Sequence, residues 1–140
     1  MKTIALKERL DLTMPLGEAL AKRRTNRECK TEQLADDVLA TLLWACAGIT
    51  DGDGRRTVPS TLDLRAVTPY VLREDGAWRF DAQNNCLERT TDKDVREVST
   101  AYQFDYVKTA PVTIVFVADR ERSKTARPTG VYVDAGTMGH

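Results

Sequence analysis

Apolar residues recur at helical spacing in several stretches of the chain and form short extended runs in others. Residues 1–14 read as an arm, with Ile4, Leu6, Leu10 and Leu12 available to pack on a larger body. Pro15 suits a first helical turn, and Leu16, Ala19 and Leu20 share a face, so a short helix is predicted over 15–22. A longer helix is predicted over 31–48. Thr31 can cap it, and Leu34, Val38, Leu42 and Ile49 keep helical spacing, with Leu39, Leu43 and Cys46 beside them. Trp44 on that helix reads as core. Gly48 marks its end, and Asp51-Gly52-Asp53-Gly54 is a loop.

Val67 to Leu72 reads as a strand in which Pro69 removes one ladder donor, pointing to an edge or bulged position. Asp75-Gly76 predicts a tight hairpin into the alternating run Ala77-Trp78-Arg79-Phe80, and Asn84-Asn85 turns the chain again. A helix is predicted from about Asp92, with Val95, Val98 and Tyr102 on one side. Val112 to Ala118 is almost wholly apolar between Pro111 and Asp119, the pattern of a buried central strand. Asp119 to Lys124 reads as a charged loop. From Gly130 a last helix aligns Val131, Ala135 and Met138.

Composition narrows the function classes. With 140 residues the chain has the size of one domain. Its 21 basic and 21 acidic side chains cancel, so no global field argues for nucleic acid or an anionic membrane. Cys29, Cys46 and Cys86 are widely spaced, which disfavours a disulfide framework or a zinc site and points to a reducing compartment. Lys7-Glu8-Arg9 interrupts the start before an apolar signal core can form, and no run reaches membrane-spanning length. A cytoplasmic protein is the expectation. His140 stands alone, with no histidine-carboxylate cluster for a metal.

Two segments carry candidate chemistry. Arg23-Arg24-Thr25-Asn26-Arg27 sets three guanidinium groups and a hydroxyl at a helix end. Arginine presents a rigid fork of donors that matches phosphate oxygens two at a time. A solvated basic helix end explains the same residues, because cations near a helix C-terminus are favoured in any case. For Arg27, a salt bridge to Glu28 or Glu32 is the competing reading. The second segment is Gly54-Arg55-Arg56-Thr57-Val58-Pro59-Ser60-Thr61-Leu62-Asp63, where Pro-Ser-Thr offers hydroxyls and backbone N–H groups in a turn. A strand-entry turn is the alternative there.

Taken in order along the chain, these motifs resemble the nitroreductase family of FMN-dependent oxidoreductases. In that family an Arg-Arg-Ser-x-Arg segment after the first helix holds the flavin phosphate and ring edge. A Pro-Ser-x-x-Asn segment contributes from the other subunit of a dimer. Leu42-Leu43-Trp44-Ala45-Cys46-Ala47-Gly48-Ile49 is similar to the family's helix pattern, and Gly54–Ser60 leans toward the subgroup that oxidises azoline rings in peptides (SagB-like). The fold implied is α+β, nitroreductase-like, with a mixed or antiparallel sheet that holds Val112–Ala118 centrally and carries helices 15–22 and 31–48.

By the same resemblance, Arg23, Arg24, Thr25 and Arg27 would hold FMN, while Pro59, Ser60, Thr61 and Asp63 would reach the flavin of the partner subunit. Gln103 would place an amide near the flavin N5–O4 edge, against a reading as a polar residue at a helix end. FMN brings the redox chemistry, so no catalytic dyad is expected; NAD(P)H would be the electron donor and a small molecule the acceptor. The implied assembly is a homodimer without nucleic acid or membrane. Two departures bear on cofactor handling. Asp63 stands where the family has Asn, and Arg65, in place of Gln, is positioned to neutralise it.

Asp134-Ala135-Gly136 is similar to the start of the family's long central helix. The chain therefore reads as a partial FMN-binding domain over 15–140 that lacks the C-terminal part and leaves Val131, Val133 and Met138 uncovered. The competing function is a truncated, non-catalytic remnant or interaction module with weak flavin binding or none.

Overall fold

The computed structural model describes residues 2–101 and 104–140, so the expected roles of Tyr102 and Gln103 lie outside the described residues. Five strands form one sheet: β1 (Thr3–Ala5), β2 (Val67–Arg73), β3 (Gly76–Asp81), β4 (Cys86–Thr91) and β5 (Thr113–Ala118), in the order β1-β4-β3-β2-β5. Every pairing is antiparallel. The helices are α1 (Leu16–Lys22), α2 (Asp36–Ala47), α3 (Tyr106–Thr109), α4 (Arg120–Ser123) and α5 (Pro128–Gly139). The α+β class is the one expected.

The core lies between one sheet face and the helices α2 and α5. Leu39, Leu43 and Ala47 of α2 and Met138 of α5 meet Val67, Val71, Trp78, Phe80 and Leu87. Burying a side chain of that size contributes about 1.5–3 kcal/mol each before entropy is counted. Met138 is thus core and Val131 packs against it, rather than both being uncovered, whereas Val133 is exposed, as expected. On the opposite sheet face Tyr70, Arg79 and Glu88 lie in one cross-strand row, with an Arg79–Glu88 ion pair.

Several expectations change. Val112–Ala118 does form a strand, but among the described residues β5 lies at the sheet edge beside β2 and has no fully buried residue. Pro69 sits in β2, between β3 and β5. The β2–β3 ladder begins at Tyr70, directly after it, so the missing N–H falls where that ladder ends. Helix α1 forms yet buries nothing, with Leu16 and Leu20 at 74% and 57% exposure. Helix α2 begins at Asp36 behind Ala35, not at a Thr31 cap. Its buried face is Leu39, Ala40, Leu43 and Ala47, which turns Leu42 outward.

From Asp92 onward a single-turn 3-10 segment (Glu97–Thr100) and the short α3 replace the expected helix, and Ala101 breaks the run at a positive φ of 49°. Asp119 caps α4 by accepting from the N–H groups of Glu121 and Arg122, so the charged loop contains a helical turn. Helix α5 starts at Pro128, before Gly130. The arm is half anchored. Ile4 and Leu6 pack against the core, while Leu10 and Leu12 are exposed.

Candidate functional site

The residues that end α2 build the first half of the site. At Gly48 a Cβ would stand 2.2 Å from the Trp44 ring, so only glycine lets the chain leave the helix there. The chain then doubles back. Thr57 N–H donates to Gly48 O at 3.0 Å and its hydroxyl to Trp44 O at 3.0 Å, while Ile49 and Arg56 form an isolated β-bridge. Between them the Asp51 carboxylate accepts from Asp53 N and Arg55 N and closes the turn. The Pro59–Ser60 segment is thereby fixed to the end of a core helix.

A buried carboxylate fixes its other side. Asp134 of α5, 6% exposed, accepts from Thr61 N at 3.0 and 2.9 Å, from Thr61 Oγ1 at 2.9 Å and from Ser60 Oγ at 3.4 Å. Ser60 Oγ in turn accepts from Arg65 N at 2.8 Å. Gly130 makes this approach possible, since a Cβ there would lie 2.7 Å from Thr61 Cγ2. The loop carries stored backbone strain, with Leu62, Asp63 and Arg65 at positive φ of 53°, 52° and 48°.

The hydroxyls of Ser60 and Thr61 are therefore committed inward. Pro59, Leu62 and Asp63 are what the loop presents to solvent. Arg65 Nε meets Asp63 Oδ1 at 2.9 Å, the neutralisation expected from the sequence. A cavity of about 380 Å³ opens here, lined by Arg55, Arg56, Pro59, Ser60, Asp63 and Arg65 among others.

The Arg23–Arg27 segment has a different character. It follows α1 outside any helix or strand, and every residue in it is exposed. Arg24 donates to the carbonyls of Ala21 and Arg23 at 2.9 and 2.7 Å. Among the described residues no carboxylate pairs with Arg23, Arg24 or Arg27. Glu32 pairs with Lys30 at 3.8 Å, so the Arg27–Glu32 bridge does not form. Among the described residues the segment does not line the cavity at Pro59–Asp63.

Sequence reasoning missed the part played by Asp134. The signal was available, since an aspartate at helical spacing between Val131 and Met138 puts a carboxylate on an apolar face, where it needs donors. The thiols of Cys46 and Cys86 are pushed up by burial and are poor nucleophiles at neutral pH. Among the described residues no group of His, Cys, Asp or Glu is arranged to hold a metal ion, and no helix is long and apolar enough to cross a membrane.

Comparison with known proteins covers both candidate segments. The chain is 30% identical over 129 residues to a candidate nitroreductase of Methanocaldococcus jannaschii, a match covering 86% of this chain and 63% of that protein. It therefore spans less than two thirds of this relative's length. The crystal structure of a candidate nitroreductase from Ralstonia eutropha superposes with a TM-score of 0.86 at 33% identity, over 99% of this chain and 68% of that one. A chain of the E. coli microcin synthetase McbBCD complex shares the fold alone, with a TM-score of 0.65 at 14% identity over 97% and 60% of the two chains. Residues 20–140 match the nitroreductase family, from within α1 through α5, and the chain belongs to that family.

Proposed function

We propose that this protein serves as an FMN-dependent oxidoreductase of the nitroreductase type. In this reading it works as a homodimer in the cytoplasm, with NAD(P)H as electron donor and a small molecule as acceptor. The observation that carries the reading is the exposed row Arg23, Arg24 and Arg27, which has no carboxylate partner among the described residues, within a chain of this family. Exposed cations without carboxylate partners fit a group that brings its own phosphate.

When bound, FMN would supply two-electron redox chemistry between a nicotinamide and the acceptor. Arg23, Arg24, Thr25 and Arg27 would hold the phosphate, ribitol and pyrimidine edge, and a guanidinium beside the N1–C2=O edge would favour the negative charge of the reduced ring. The rigid Pro59–Asp63 loop would serve the flavin of the other subunit. With Ser60 and Thr61 tied to Asp134, its outward contribution falls to Pro59, Asp63 and the backbone, while the two hydroxyls set its shape.

The second reading is a remnant or interaction module that binds flavin weakly or not at all and does not turn over. It is favoured by one observation, that among the described residues the Arg23–Arg27 segment does not line the cavity at the Pro59–Asp63 loop. Titration with FMN under absorbance and fluorescence separates the two. One flavin per subunit, reducible by NADH or NADPH, supports the first reading. A colourless protein that takes up no added FMN supports the second.

A further inference from the structure

Behind the Pro59–Asp63 loop, against the polar face of the sheet, four arginines converge on a second and smaller cavity. Its volume is about 100 Å³, and Arg56, Arg65, Arg79 and Arg122 line it together with Thr68 and Asp81. Three of the four cations have carboxylate partners. Arg65 pairs with Asp63 at 2.9 Å, Arg122 with Asp119 at 3.6 Å, and Arg79 with Glu88.

Arg56 has none among the described residues, and its Nε is buried without a hydrogen-bond partner. The one carboxylate in the lining is otherwise engaged, since Asp81 accepts from Gln83 N, Asn84 N and Asn84 Nδ2. Burial and the charges of Arg65 and Arg122 push the Arg56 guanidinium below its ordinary pKa, with Asp63 opposing them. An orphaned buried donor among like charges is costly unless an anion completes it.

We propose that this cavity is an oxyanion site that takes the phosphate monoester of a small ligand, whose body lies in the adjoining 380 Å³ cavity. Arg56 and Arg65 line both spaces, so the two cavities adjoin. The smaller one, at about 100 Å³, has room for a tetrahedral oxyanion. Guanidinium forks pair with two phosphate oxygens at once, and the buried Nε of Arg56 is the donor that such an oxygen would complete. The proposal stands whether or not flavin binds at Arg23–Arg27, because it concerns other residues.

The test is a titration with inorganic phosphate, without flavin, against sodium chloride at matched ionic strength, read by thermal melting and calorimetry. Saturable stabilisation of the natural protein by phosphate is expected. In Arg56→Gln the phosphate affinity is expected to fall by about 10–100-fold, the loss of one charge-assisted hydrogen bond. The same variant in chloride is expected to melt no lower than the natural protein, because it removes a mutually repelled charge. Arg122→Gln, at an exposed position of α4, carries the test if the first variant fails to fold, with a loss of at least about tenfold expected.

Competition then names the source. Displacement of phosphate by FMN but not riboflavin assigns the site to the flavin phosphate. Displacement by a 2′-phosphorylated nicotinamide dinucleotide but not its unphosphorylated form assigns it to that phosphate, and displacement by neither leaves a free oxyanion as the ligand. A natural protein that phosphate stabilises no more than chloride, or variants with unchanged phosphate affinity, would overturn the proposal.

Discussion

The Ser60–Arg65 loop and the Arg23–Arg27 segment both hold polar groups that a ligand could use, yet they are built in opposite ways. The loop is tied to α5 through Asp134, across 73 residues of sequence, and holds three residues at positive φ. The arginine segment follows a helix that buries nothing, and its side-chain hydrogen bonds reach no farther than three residues back. The first is organised by the fold before any ligand arrives. Among the described residues the second has no tertiary hydrogen bond or ion pair. Pre-organised groups bind without an ordering cost, whereas an exposed arginine row must be ordered by what it binds.

The largest expected effect breaks the organised side. Asp134→Ala leaves Thr61 N–H and two hydroxyls without their acceptor and should cost about 3 kcal/mol of unfolding free energy in a urea titration. Arg23→Ala and Arg27→Ala should do the reverse. Each is expected to weaken FMN binding by about 1.5–3 kcal/mol while moving stability without flavin by less than about 0.5 kcal/mol. If titration shows the same affinity in both variants, the row is only a solvated helix end.

A smaller effect sharpens the difference. Gly130→Ala puts a methyl against Thr61 and should cost about 1–2 kcal/mol of stability, with a shift in the backbone amide signals of 60–65 and none at 23–27. Acid titration supplies a control outside both regions. The Arg96 guanidinium, hydrogen-bonded to Asp94, holds that carboxyl below its usual range, against an opposing contribution from burial. A depressed carboxyl contributes stability that is present above its unfolded value near 4 and is lost as pH falls through the folded value. Asp94→Asn should therefore flatten the acid limb of a stability-against-pH curve and leave FMN binding at neutral pH unchanged.

What was legible in the sequence follows the same division. The helix ending at Gly48, the hairpin after β2 and the apolar run of β5 announce themselves by periodicity and turn chemistry. Strand β4 did not, because only Cys86 and Leu87 in it are apolar and its pairing is set by the turn that Asp81 closes. The edge position of β5 was hidden too. An apolar run fixes that a strand forms, while its place in the order depends on pairings to β2, from Leu72 with Thr113 to Val67 with Ala118, 41 to 51 residues away.

Within the site, the arginine row could be read directly, since it is contiguous. The inward commitment of Ser60 and Thr61 could not, since it depends on a carboxylate from the far end of the chain. Nor could the meeting of Arg56, Arg65, Arg79 and Arg122, which come from separate loops, a strand and a short helix.

The contrast between a pre-built loop and a ligand-ordered row is tested most directly by amide hydrogen exchange on the natural protein, with and without saturating FMN. Without flavin, the amides of Thr61 and Arg65 should be protected by their bonds to Asp134 and Ser60, and those of residues 24–28 should exchange at nearly the free rate. With FMN, protection should appear at 24–28 while Thr61 and Arg65 change little. Unchanged exchange at 24–28 under saturating FMN, or a loop that is unprotected until flavin is added, would contradict this account.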